Sequence, residues 1–414
     1  MSDFIIKELR KRQEQIPYLY SPSNIEVYTP HSLVTCKLDK LPCWVWMTPT
    51  LKFLDPACKS GIYLSEIIIR LMDGLKTWEP DEHKRYDHII KNMIVGYAYT
   101  TLGYKITKKL LYGDYNYNCD NIKLKRFDKE SESDLTVEFD VIVGNPPYNA
   151  GGRENEQKEI LWNLFVKNSL RVLNDGGFMC LVHPPGWRGL ENELWPLITS
   201  KQIHYLEIHN SNDGKKMFGC GTRYDWYVME NTPSYKPSVI VDDEGQSYEL
   251  CLHTFPFFPH NSVKKVFEII SKKAGDECNV IRCRGYDREK DWISDSKTKK
   301  HPHTVIDKIL SEKKGGLIKT YSSRNDRGGF VSGVIISNNG KYCFNDFTGC
   351  YGIGKGVFKI GNVSSKEEGE EIVKAIQSKK FQKIVQSVLW EGWQTDYRFF
   401  KRLKKDFWKE FLNE

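Results

Sequence analysis

Residues 145–148, with the sequence Asn-Pro-Pro-Tyr, combine side chains that can hold a flat molecule carrying an amino group. The Asn145 side-chain oxygen and the Pro146 carbonyl can both accept hydrogen bonds from one NH2 group, and the Tyr148 ring offers a face for stacking. The second proline, Pro147, stiffens the segment further, since each proline fixes φ and removes a backbone donor. These residues predict a site for a planar molecule with an exocyclic amine, although Asn-Pro is also common turn chemistry.

A second candidate segment, residues 53–61 (Phe-Leu-Asp-Pro-Ala-Cys-Lys-Ser-Gly), combines a carboxylate with a glycine turn. Asp55 can bind a ligand ammonium group or an ordered water, and the turn opens a helix whose first backbone N–H groups can meet a polar ligand. The segment lacks the three glycines of a dinucleotide fingerprint and the Gly-Lys-Ser/Thr of a P-loop. Its chemistry is therefore a strand-end carboxylate beside a tight turn.

The elements that must position these residues alternate between apolar runs and helical patterns, which is typical of an α/β fold with a doubly wound, mostly parallel sheet. In such a sheet, ligands bind beyond the carboxyl ends of the strands, where both segments would lie. The Asn-Asp-Gly-Gly run at 174–177 predicts the end of a helix. The predicted strands are 44–47, 51–54, 93–98, 139–143 and 178–184, and the predicted helices are 65–75, two helices flanking the strand within 88–113, and 159–173.

Composition describes a globular protein of 414 residues, of which 40% are hydrophobic and 28% are charged. That length favours two domains, and the Pro/Ser-rich stretch at 230–238 places the boundary after residue 231. No apolar run reaches the length of a membrane span, and the N-terminus does not look like a signal peptide. Eleven cysteines without a CxxC pair argue against zinc ligation or a disulfide framework and favour a reduced, cytoplasmic compartment.

Charge is concentrated in the second half of the chain. Residues 1–231 have a formal net charge of about −1 and residues 232–414 of about +8. Basic residues cluster at 296–300, 311–329 and 399–409, and the aromatics interleaved with them are Tyr321, Trp390, Trp393, Tyr397, Phe399, Phe400 and Trp408. A protein that binds nucleic acid requires such a surface, since cations neutralise phosphates and aromatic rings stack on bases. The alternative interpretation is a solvated charged surface over an ordinary aromatic core.

Three segments in this order, 25–30 (Ile-Glu-Val-Tyr-Thr-Pro), 53–61 and 139–148, resemble motifs of the S-adenosylmethionine-dependent DNA adenine-N6 methyltransferases. The order, with a basic region last, is similar to the gamma class found in restriction–modification systems. The resemblance covers roughly residues 20–231 and implies a Rossmann-like class I methyltransferase domain at 1–231. A basic α+β target-recognition domain would follow at 232–414.

The resemblance also assigns expected roles to residues. Asn145, Pro146, Pro147 and Tyr148 would hold the target adenine. Tyr28, Thr29 and Pro30 would close over the methionine end of the cofactor, and Asp55, Ala57 and Gly61 would line it, with Asp55 near its amino group. Asp120, following a predicted strand at 115–117, would face the cofactor adenine, with Asp128 as a weaker candidate for that role. Phe218 would cover the second face of the target base unless it is a core residue.

Two departures from the family pattern concern the cofactor. Lys59 replaces a glycine, which would strain the turn if this residue needed a positive φ. The usual acidic residue for the cofactor ribose is missing from 93–101, where Tyr97, Tyr99 or Thr100 are the available substitutes.

The expected activity is sequence-specific, adenine-specific DNA methylation without a metal ion, in a restriction–modification system or as an orphan or viral methylase. Arg324, Asn325 and Arg327 in the segment 322–329 can make bidentate contacts to base edges, although a Gly-terminated surface turn is an equal alternative. The expected partners are double-stranded DNA and a cognate restriction endonuclease. Open alternatives are methylation of RNA adenine or protein glutamine, which share the Asn-Pro-Pro-Tyr motif, and a weakened DNA-binding homologue.

Overall fold

A computed structural model of the chain describes residues 4–19, 28–113, 120–129, 137–149, 160–390 and 395–412. They form two compact units, the first made of residues 1–187 and 192–255 and the second of residues 188–191 and 256–414. Within the described ranges, no helix combines the length and the apolar character needed to cross a membrane.

The first unit contains a nine-stranded sheet with helices. Its helices are α1 Phe4–Leu19, α2 His31–Leu38, α3 Ile62–Gly74, α4 Glu82–His88, α5 Thr101–Tyr112, α6 Trp162–Arg171, α7 Leu194–Thr199 and α8 Ser211–Phe218. Its strands are β1 Phe53–Asp55, β2 Ile94–Ala98, β3 Ile122–Leu124, β4 Phe139–Gly144, β5 Leu173–His183, β6 Lys201–His209, β7 Tyr224–Pro233, β8 Ser238–Val241 and β9 Ser247–Leu250.

The strand order is β3-β2-β1-β4-β5-β7-β6-β8-β9. Strands β3, β2, β1, β4 and β5 are mutually parallel, and β7 runs antiparallel to both β5 and β6. The central strands are covered on both faces, which explains the continuous apolar runs in β1 and β4. The predicted doubly wound, mostly parallel α/β sheet is confirmed.

Two local predictions were wrong, and the first is the strand at 44–47, where the structure has a short 3-10 helix, Cys43–Trp46. The run at 174–177 does not end a helix: α6 stops at Arg171 and β5 already begins at Leu173, which pairs with Phe139. The pairing of β4 with β5 shifts register between Phe139 and Val141, and Gly176, at φ 72°, supplies the irregular backbone inside β5. Glycine thus marks a strand irregularity here rather than a helix stop.

The boundary between the units lies later than predicted. Strands β8 and β9 follow residue 231 yet pair with β6 and with each other, so they extend the sheet of the first unit. The first unit therefore continues to residue 255. The predicted fading of the βα alternation reflects this extension, in which β8 runs parallel to β6 and β9 antiparallel to β8, and not a new unit.

The second unit contains two four-stranded sheets, ordered β10-β17-β14-β15 and β11-β13-β12-β16. Its strands are β10 Val280–Ile281, β11 Ile293–Ser294, β12 His303–Ile309, β13 Leu317–Ser322, β14 Gly333–Ser337, β15 Cys343–Asp346, β16 Gly352–Ile353 and β17 Val357–Gly361. Its helices are α9 Val263–Ile269, α10 Lys366–Gln377, α11 Lys379–Ser387 and α12 Tyr397–Arg402.

Most aromatic residues interleaved with the last basic clusters belong to the core of this unit. The buried ones pack in one cluster with helices α10 and α11. They are Trp390, Phe399, Phe400 and Trp408. Trp393 lies outside the described residues. These aromatics therefore stabilise the unit rather than offer a stacking surface.

Candidate active site

Parallel pairing brings the two candidate segments of the first unit together. Strands β1 and β4 are direct neighbours, with Leu54 opposite Ile142. Asp55, the last residue of β1, and Asn145, which follows β4, therefore lie at the same carboxyl edge of the sheet. A Cβ on Gly144 would come within 3.0 Å of Asp55 Oδ1, so the glycine before Asn145 makes room for this carboxylate.

The predicted Tyr-Thr-Pro segment reaches this edge through Thr29. The Asn145 side-chain amide donates from Nδ2 to Thr29 Oγ1 at 3.1 Å, and both residues are buried. With the nitrogen engaged, Oδ1 is the amide atom that remains to accept from a ligand. Tyr28 is half-buried, and burial raises the pKa of its phenol. Pro30 precedes α2 as its N-cap residue.

Lys37 supports the backbone at the start of the Asn-Pro-Pro-Tyr segment, called the Asn145 corner. The sequence analysis did not identify this residue. Its side chain is fully buried, and Nζ donates to the Tyr63 hydroxyl at 2.8 Å and to the Gly144 carbonyl at 3.2 Å. Burial lowers the pKa of Lys37 to about 8. The lysine thus fixes the backbone immediately before Asn145. No spacing in the sequence indicates this contact, since α2 looks like an ordinary helix.

Asp55 is a buried carboxyl whose ionisation is costly in the free protein. One oxygen accepts from the Ala57 N–H at 3.0 Å, and no ion pair to Asp55 forms among the residues that the structure describes. Burial raises the pKa of Asp55 to about 7, opposed by the Ala57 hydrogen bond and by the charges of Lys59 and Lys37. Such a group would gain stability from a cationic ligand.

The turn between β1 and α3 accommodates the unexpected lysine without strain. Gly61 has φ 75° and supplies the left-handed residue before α3, whereas Lys59 is not among the residues with positive φ. A Cβ at Gly61 would also meet the Thr107 side chain at 2.9 Å. Lys59 is buried, and its charge lowers the pKa of Asp55. The lysine therefore takes part in the electrostatics of the site.

Asp120 does not lie at this edge. The predicted strand at 115–117 falls outside the described residues, and the strand that the structure shows is β3, paired so that Gly96 lies opposite Ile122. Asp120 precedes β3 at its amino end and is exposed, so it is on the opposite edge from Asp55. The assignment of Asp120 to the cofactor adenine is therefore wrong on topology.

Asp128, the weaker candidate, follows the carboxyl end of β3 and is buried. It accepts two hydrogen bonds from Arg126, at 3.0 and 2.5 Å, and the Arg126 guanidinium lies 4.2 Å from the Tyr99 ring centroid. Thr100 caps α5 by accepting from the Gly103 N–H at 3.0 Å. Tyr97 contacts Phe127, with ring centroids 5.7 Å apart.

The phenol groups of Tyr148 and Tyr224 are neighbours at the carboxyl edge of the sheet. Both hydroxyls are buried, and neither has a hydrogen-bond partner within the described part of the chain. Burial raises the pKa of Tyr148, and the neighbouring Tyr224 adds to this shift. Tyr224 begins β7, so the antiparallel direction of that strand brings it to the edge where β5 and β6 end. Sequence reasoning missed Tyr224 because it expected a parallel strand pattern.

Phe218 joins this aromatic group at the end of α8. Its ring meets Tyr224 edge-on with centroids 4.9 Å apart, and His209 stacks on Tyr224 at 4.3 Å. Phe218 also packs, partly buried, against the main core of the first unit. The geometry is compatible with both predicted roles, as a wall of a base pocket and as a core residue.

The predicted base-reading residues lie in the second unit, after β13. Arg324 donates to Asp326 through Nε at 3.1 Å and through Nη2 at 2.9 Å, so its guanidinium is already engaged. Arg327 lies beside the same carboxylate, with Nε 3.8 Å from Asp326 Oδ1. Asn325 is exposed.

Three histidines of the first unit make contacts of their own. His31 Nε2 lies 3.1 Å from Glu66 Oε2, His183 Nε2 lies 3.2 Å from the Tyr227 hydroxyl, and His204 Nε2 lies 2.7 Å from Glu230 Oε2. In the described ranges, no group of three or more His, Cys, Asp or Glu residues is arranged to hold a metal ion.

Residues 57–218 match the family described as Eco57I restriction-modification methylase. This match covers less than half of the chain and shows a similarity of this part to the methylases of that family. The matched stretch begins at Ala57 and ends at Phe218, so it contains the Asn-Pro-Pro-Tyr corner, while Thr29 and Asp55 lie outside it.

A curated relative and two solved structures are similar to this chain. An uncharacterized adenine-specific methylase of Mycoplasma pneumoniae is 23% identical over 258 residues, which cover 45% of this chain and 61% of the relative. The ATP-dependent Type ISP restriction-modification enzyme LlaBIII bound to DNA is 11% identical with a TM-score of 0.56, covering 97% of this chain and 41% of that chain.

A nuclease-deletion mutant of the Type ISP restriction-modification enzyme LlaGI, in complex with a DNA substrate mimic, is 12% identical with a TM-score of 0.53. It covers 94% of this chain and 47% of that chain. At these identities the two structures show a shared fold. The chain spans less than two thirds of the length of each of these three proteins.

Proposed function

We propose that the protein is a sequence-specific DNA methyltransferase that transfers a methyl group from S-adenosylmethionine to the N6 amine of adenine. The observation that carries this proposal is the hydrogen bond from Asn145 Nδ2 to Thr29 Oγ1, beside the Asp55 carboxyl. It directs the amide nitrogen away and leaves the amide oxygen for an amine donor. The protein would act in a restriction–modification system or as an orphan or viral methylase.

The residues at the carboxyl edge fit the proposed cofactor. Asp55 is a buried carboxyl without an ion-pair partner in the described part of the molecule, which suits a ligand ammonium group. Ala57 and Gly61 form the adjacent turn, and Tyr28, Thr29 and Pro30 lie on its other side in our proposal. Asp128, rather than Asp120, is the carboxylate on the correct edge for the cofactor adenine. When bound, S-adenosylmethionine supplies an electrophilic methyl group on a sulfonium.

The target adenine would be rotated out of the duplex, at an unstacking cost of about a few kcal/mol. Asn145 Oδ1 and the Pro146 carbonyl would accept hydrogen bonds from the two N–H groups of the amine. These bonds would localise the nitrogen lone pair for attack. Tyr148 would stack on the ring, and Phe218 would cover its other face. Much of the rate gain would come from holding the amine in the attacking orientation.

Lys37 and Thr29 would act as positioning residues in this mechanism. Lys37 holds the Gly144 carbonyl and Thr29 holds the Asn145 amide nitrogen, so the two acceptors are fixed before the base arrives. Preorganised acceptors avoid the reorganisation that would otherwise accompany base binding. A dedicated strong base is unnecessary, because the amine becomes more acidic as it is methylated.

The weakened DNA-binding homologue is the less favoured function. Lys59 and the missing ribose acid both motivated it, and Lys59 does not strain the turn, because it has no positive φ. Methylation of RNA adenine or of protein glutamine uses the same corner, and we favour DNA because residues 57–218 match a restriction–modification family.

An acceptor panel tests the proposal. Purified full-length protein with methyl-labelled S-adenosylmethionine should label duplex DNA, and neither duplex RNA nor a glutamine-containing protein extract should be labelled at a comparable rate. Asn145→Ala and Tyr148→Ala should retain cofactor binding, measured by calorimetry, while DNA labelling falls by about 100-fold or more. Full activity of both variants would contradict the assigned chemistry, and labelling of RNA or protein alone would contradict the substrate.

A further inference from the structure

Antiparallel pairing in the second unit brings two separated cationic segments to one edge of a sheet. The last residue of β13, Ser322, pairs with Ile293 at the start of β11 and with His303 at the start of β12. The residues just before β11 and β12 and those just after β13 therefore share one edge. The loop 295–302, which carries three lysines, returns to that edge at His303, where the segment 323–329 also begins.

Trp292 organises the side chains at this edge. The guanidinium carbons of Arg324 and Arg327 each lie 5.4 Å from the centroid of the Trp292 ring. The indole N–H donates to the Gly285 carbonyl at 2.8 Å, and the Trp292 carbonyl accepts from the Ser323 N–H at 3.0 Å, so the ring is fixed. Two cations thus lie within cation–π distance of one aromatic ring.

The loop that carries the two arginines is anchored at both ends. Ser322 Oγ accepts from the Arg324 N–H at 3.0 Å, and the Tyr286 hydroxyl accepts from the Arg327 N–H at 2.9 Å. Further along, the buried Lys359 donates to the Gly329 carbonyl at 2.7 Å. The backbone of the loop is therefore ordered before any partner binds.

The cationic side chains themselves remain open to solvent. The side chains of Arg324 and Arg327 are 41% and 42% exposed, and Asp326 between them is 56% exposed. The lysines of the neighbouring loop are exposed as well; they are Lys297, Lys299 and Lys300. Fixed, exposed cations at one edge are suited to a polyanion.

We propose that Trp292, Arg324, Arg327 and the three lysines form the surface by which the second unit binds the sugar–phosphate backbone of double-stranded DNA. This inference rests on the proposed function. The six residues together are called the Trp292 surface. Because both guanidinium groups lie over the Trp292 ring, they compete with a nucleobase for stacking on it, which favours backbone contacts to a duplex over stacking on a single strand. DNA phosphates would displace Asp326 from the arginines, since both anions compete for the same donors.

The sheet offers a matched control at its other edge. Lys313 and Lys314 are exposed in the short turn between Ile309, which ends β12, and Leu317, which begins β13. They lie about 20 Å from Ser322, because β13 spans six residues at about 3.3 Å each. Replacing them removes the same charge from the same sheet without touching the Trp292 surface.

The experiment measures binding of the full-length protein to a labelled 30-base-pair duplex over a range of salt concentrations. In the double variant Arg324→Ala with Arg327→Ala, the slope of log Kobs against log salt should become less negative by about 1.8, since each lost phosphate contact contributes about 0.9. The matched variant Lys313→Ala with Lys314→Ala should keep the wild-type slope. Asp326→Asn should bind more tightly than the wild type, because it frees both arginines and removes a negative charge.

Equal slopes for the arginine and the lysine variants would overturn the proposal, and so would an unchanged affinity of Asp326→Asn. Preferential binding of duplex RNA through the same arginines would overturn the choice of partner. Methyl transfer separates this inference from the proposed function: wild-type protein that methylates DNA, combined with arginine variants of unchanged KM for DNA, would refute the surface alone. Wild-type protein that methylates no DNA would refute the proposed function.

Discussion

The candidate active site of the first unit and the Trp292 surface of the second unit both lie at a sheet edge, but the strands deliver their residues differently. In the first unit, parallel strands bring Asp55 and Asn145 to one edge although they are 90 positions apart. In the second unit, antiparallel strands send one continuous basic segment, 311–329, to two opposite edges. Motif order along the chain therefore predicts a site in a parallel sheet, whereas a basic segment in an antiparallel sheet predicts no single surface.

The two regions also differ in how charge is buried. Asp55 has no ion-pair partner among the described residues, whereas Lys359 in the second unit is fully buried and donates to Asp346 at 2.8 Å and to three backbone carbonyls. A buried charge without a partner is suited to ligand binding, and a fully satisfied pair is suited to holding a loop.

The largest effect is expected from Lys359→Met, which leaves Asp346 as a buried, unpaired carboxylate. The free energy of unfolding should fall by about 3–5 kcal/mol. Denaturant unfolding gives this value, and hydrogen exchange should show faster opening at residues 328–332, because the Gly329 and Val331 carbonyls lose their donor. The matched variant Lys319→Met, at an exposed position of β13, should leave both measurements near wild type. Equal stability of the two variants would show that the pair does not hold the loop.

An intermediate effect is expected from Asp55→Asn on cofactor binding. At pH 7.5, affinity for S-adenosylmethionine should fall by about 10- to 100-fold, since a charge-assisted hydrogen bond is replaced by a neutral one. The pH dependence gives a sharper test. Burial raises the pKa of Asp55 to about 7 in the free protein, so the ionised form that an ammonium prefers is depleted below that pH.

Wild-type affinity should therefore fall by up to about tenfold per pH unit as the pH drops below 7, because proton and cofactor compete for the carboxylate. The asparagine variant should show a flat profile between pH 5.5 and 7. Calorimetric titration at several pH values measures both. Parallel pH profiles for the two proteins would exclude Asp55 as the cofactor carboxylate.

The smallest effect is expected from Tyr224→Phe, compared with Tyr227→Phe on the same strand. Both side chains are fully buried, but the Tyr227 hydroxyl contacts His183 whereas the Tyr224 hydroxyl has no partner in the described part of the chain. Tyr224→Phe should raise the free energy of unfolding by about 1 kcal/mol, and Tyr227→Phe should lower it by a similar amount. The first variant should also raise the KM for DNA a few fold if the hydroxyl meets the target base. Destabilisation by both substitutions would show that Tyr224 has a partner in the free protein.

The parallel sheet and the position of the Asn-Pro-Pro-Tyr segment at the end of a strand could be predicted, because both depend on short patterns of neighbouring residues. Apolar runs predict the buried parallel strands, and the Asn-Pro-Pro-Tyr segment directly follows one of them. The contact between Thr29 and Asn145 was not predicted as such, yet the order of motifs assigned both residues to the proposed site.

Contacts that depend on three-dimensional packing were not predictable in this way. Lys37 lies on a helix without any distinguishing pattern, and its role arises from reaching the Gly144 carbonyl. Asp120 was assigned wrongly because strand β3 begins after it rather than before it, which reverses the edge on which it lies. Trp292 was missed because it precedes a strand of only two residues, β11, which gives no periodic signal.

The central claim is that the corner at Asn145 presents adenine N6 to the methyl donor. Duplex DNA incubated with the full-length protein and S-adenosylmethionine should be digested to nucleosides and analysed by mass spectrometry, beside the variant Asn145→Ala and the control Asn149→Ala, an exposed residue four positions later. N6-methyldeoxyadenosine formed by the wild type and by the control, but nearly absent with Asn145→Ala despite normal cofactor binding, is the predicted result. The same amount of N6-methyldeoxyadenosine from Asn145→Ala, or methylation only at another base, would contradict the account.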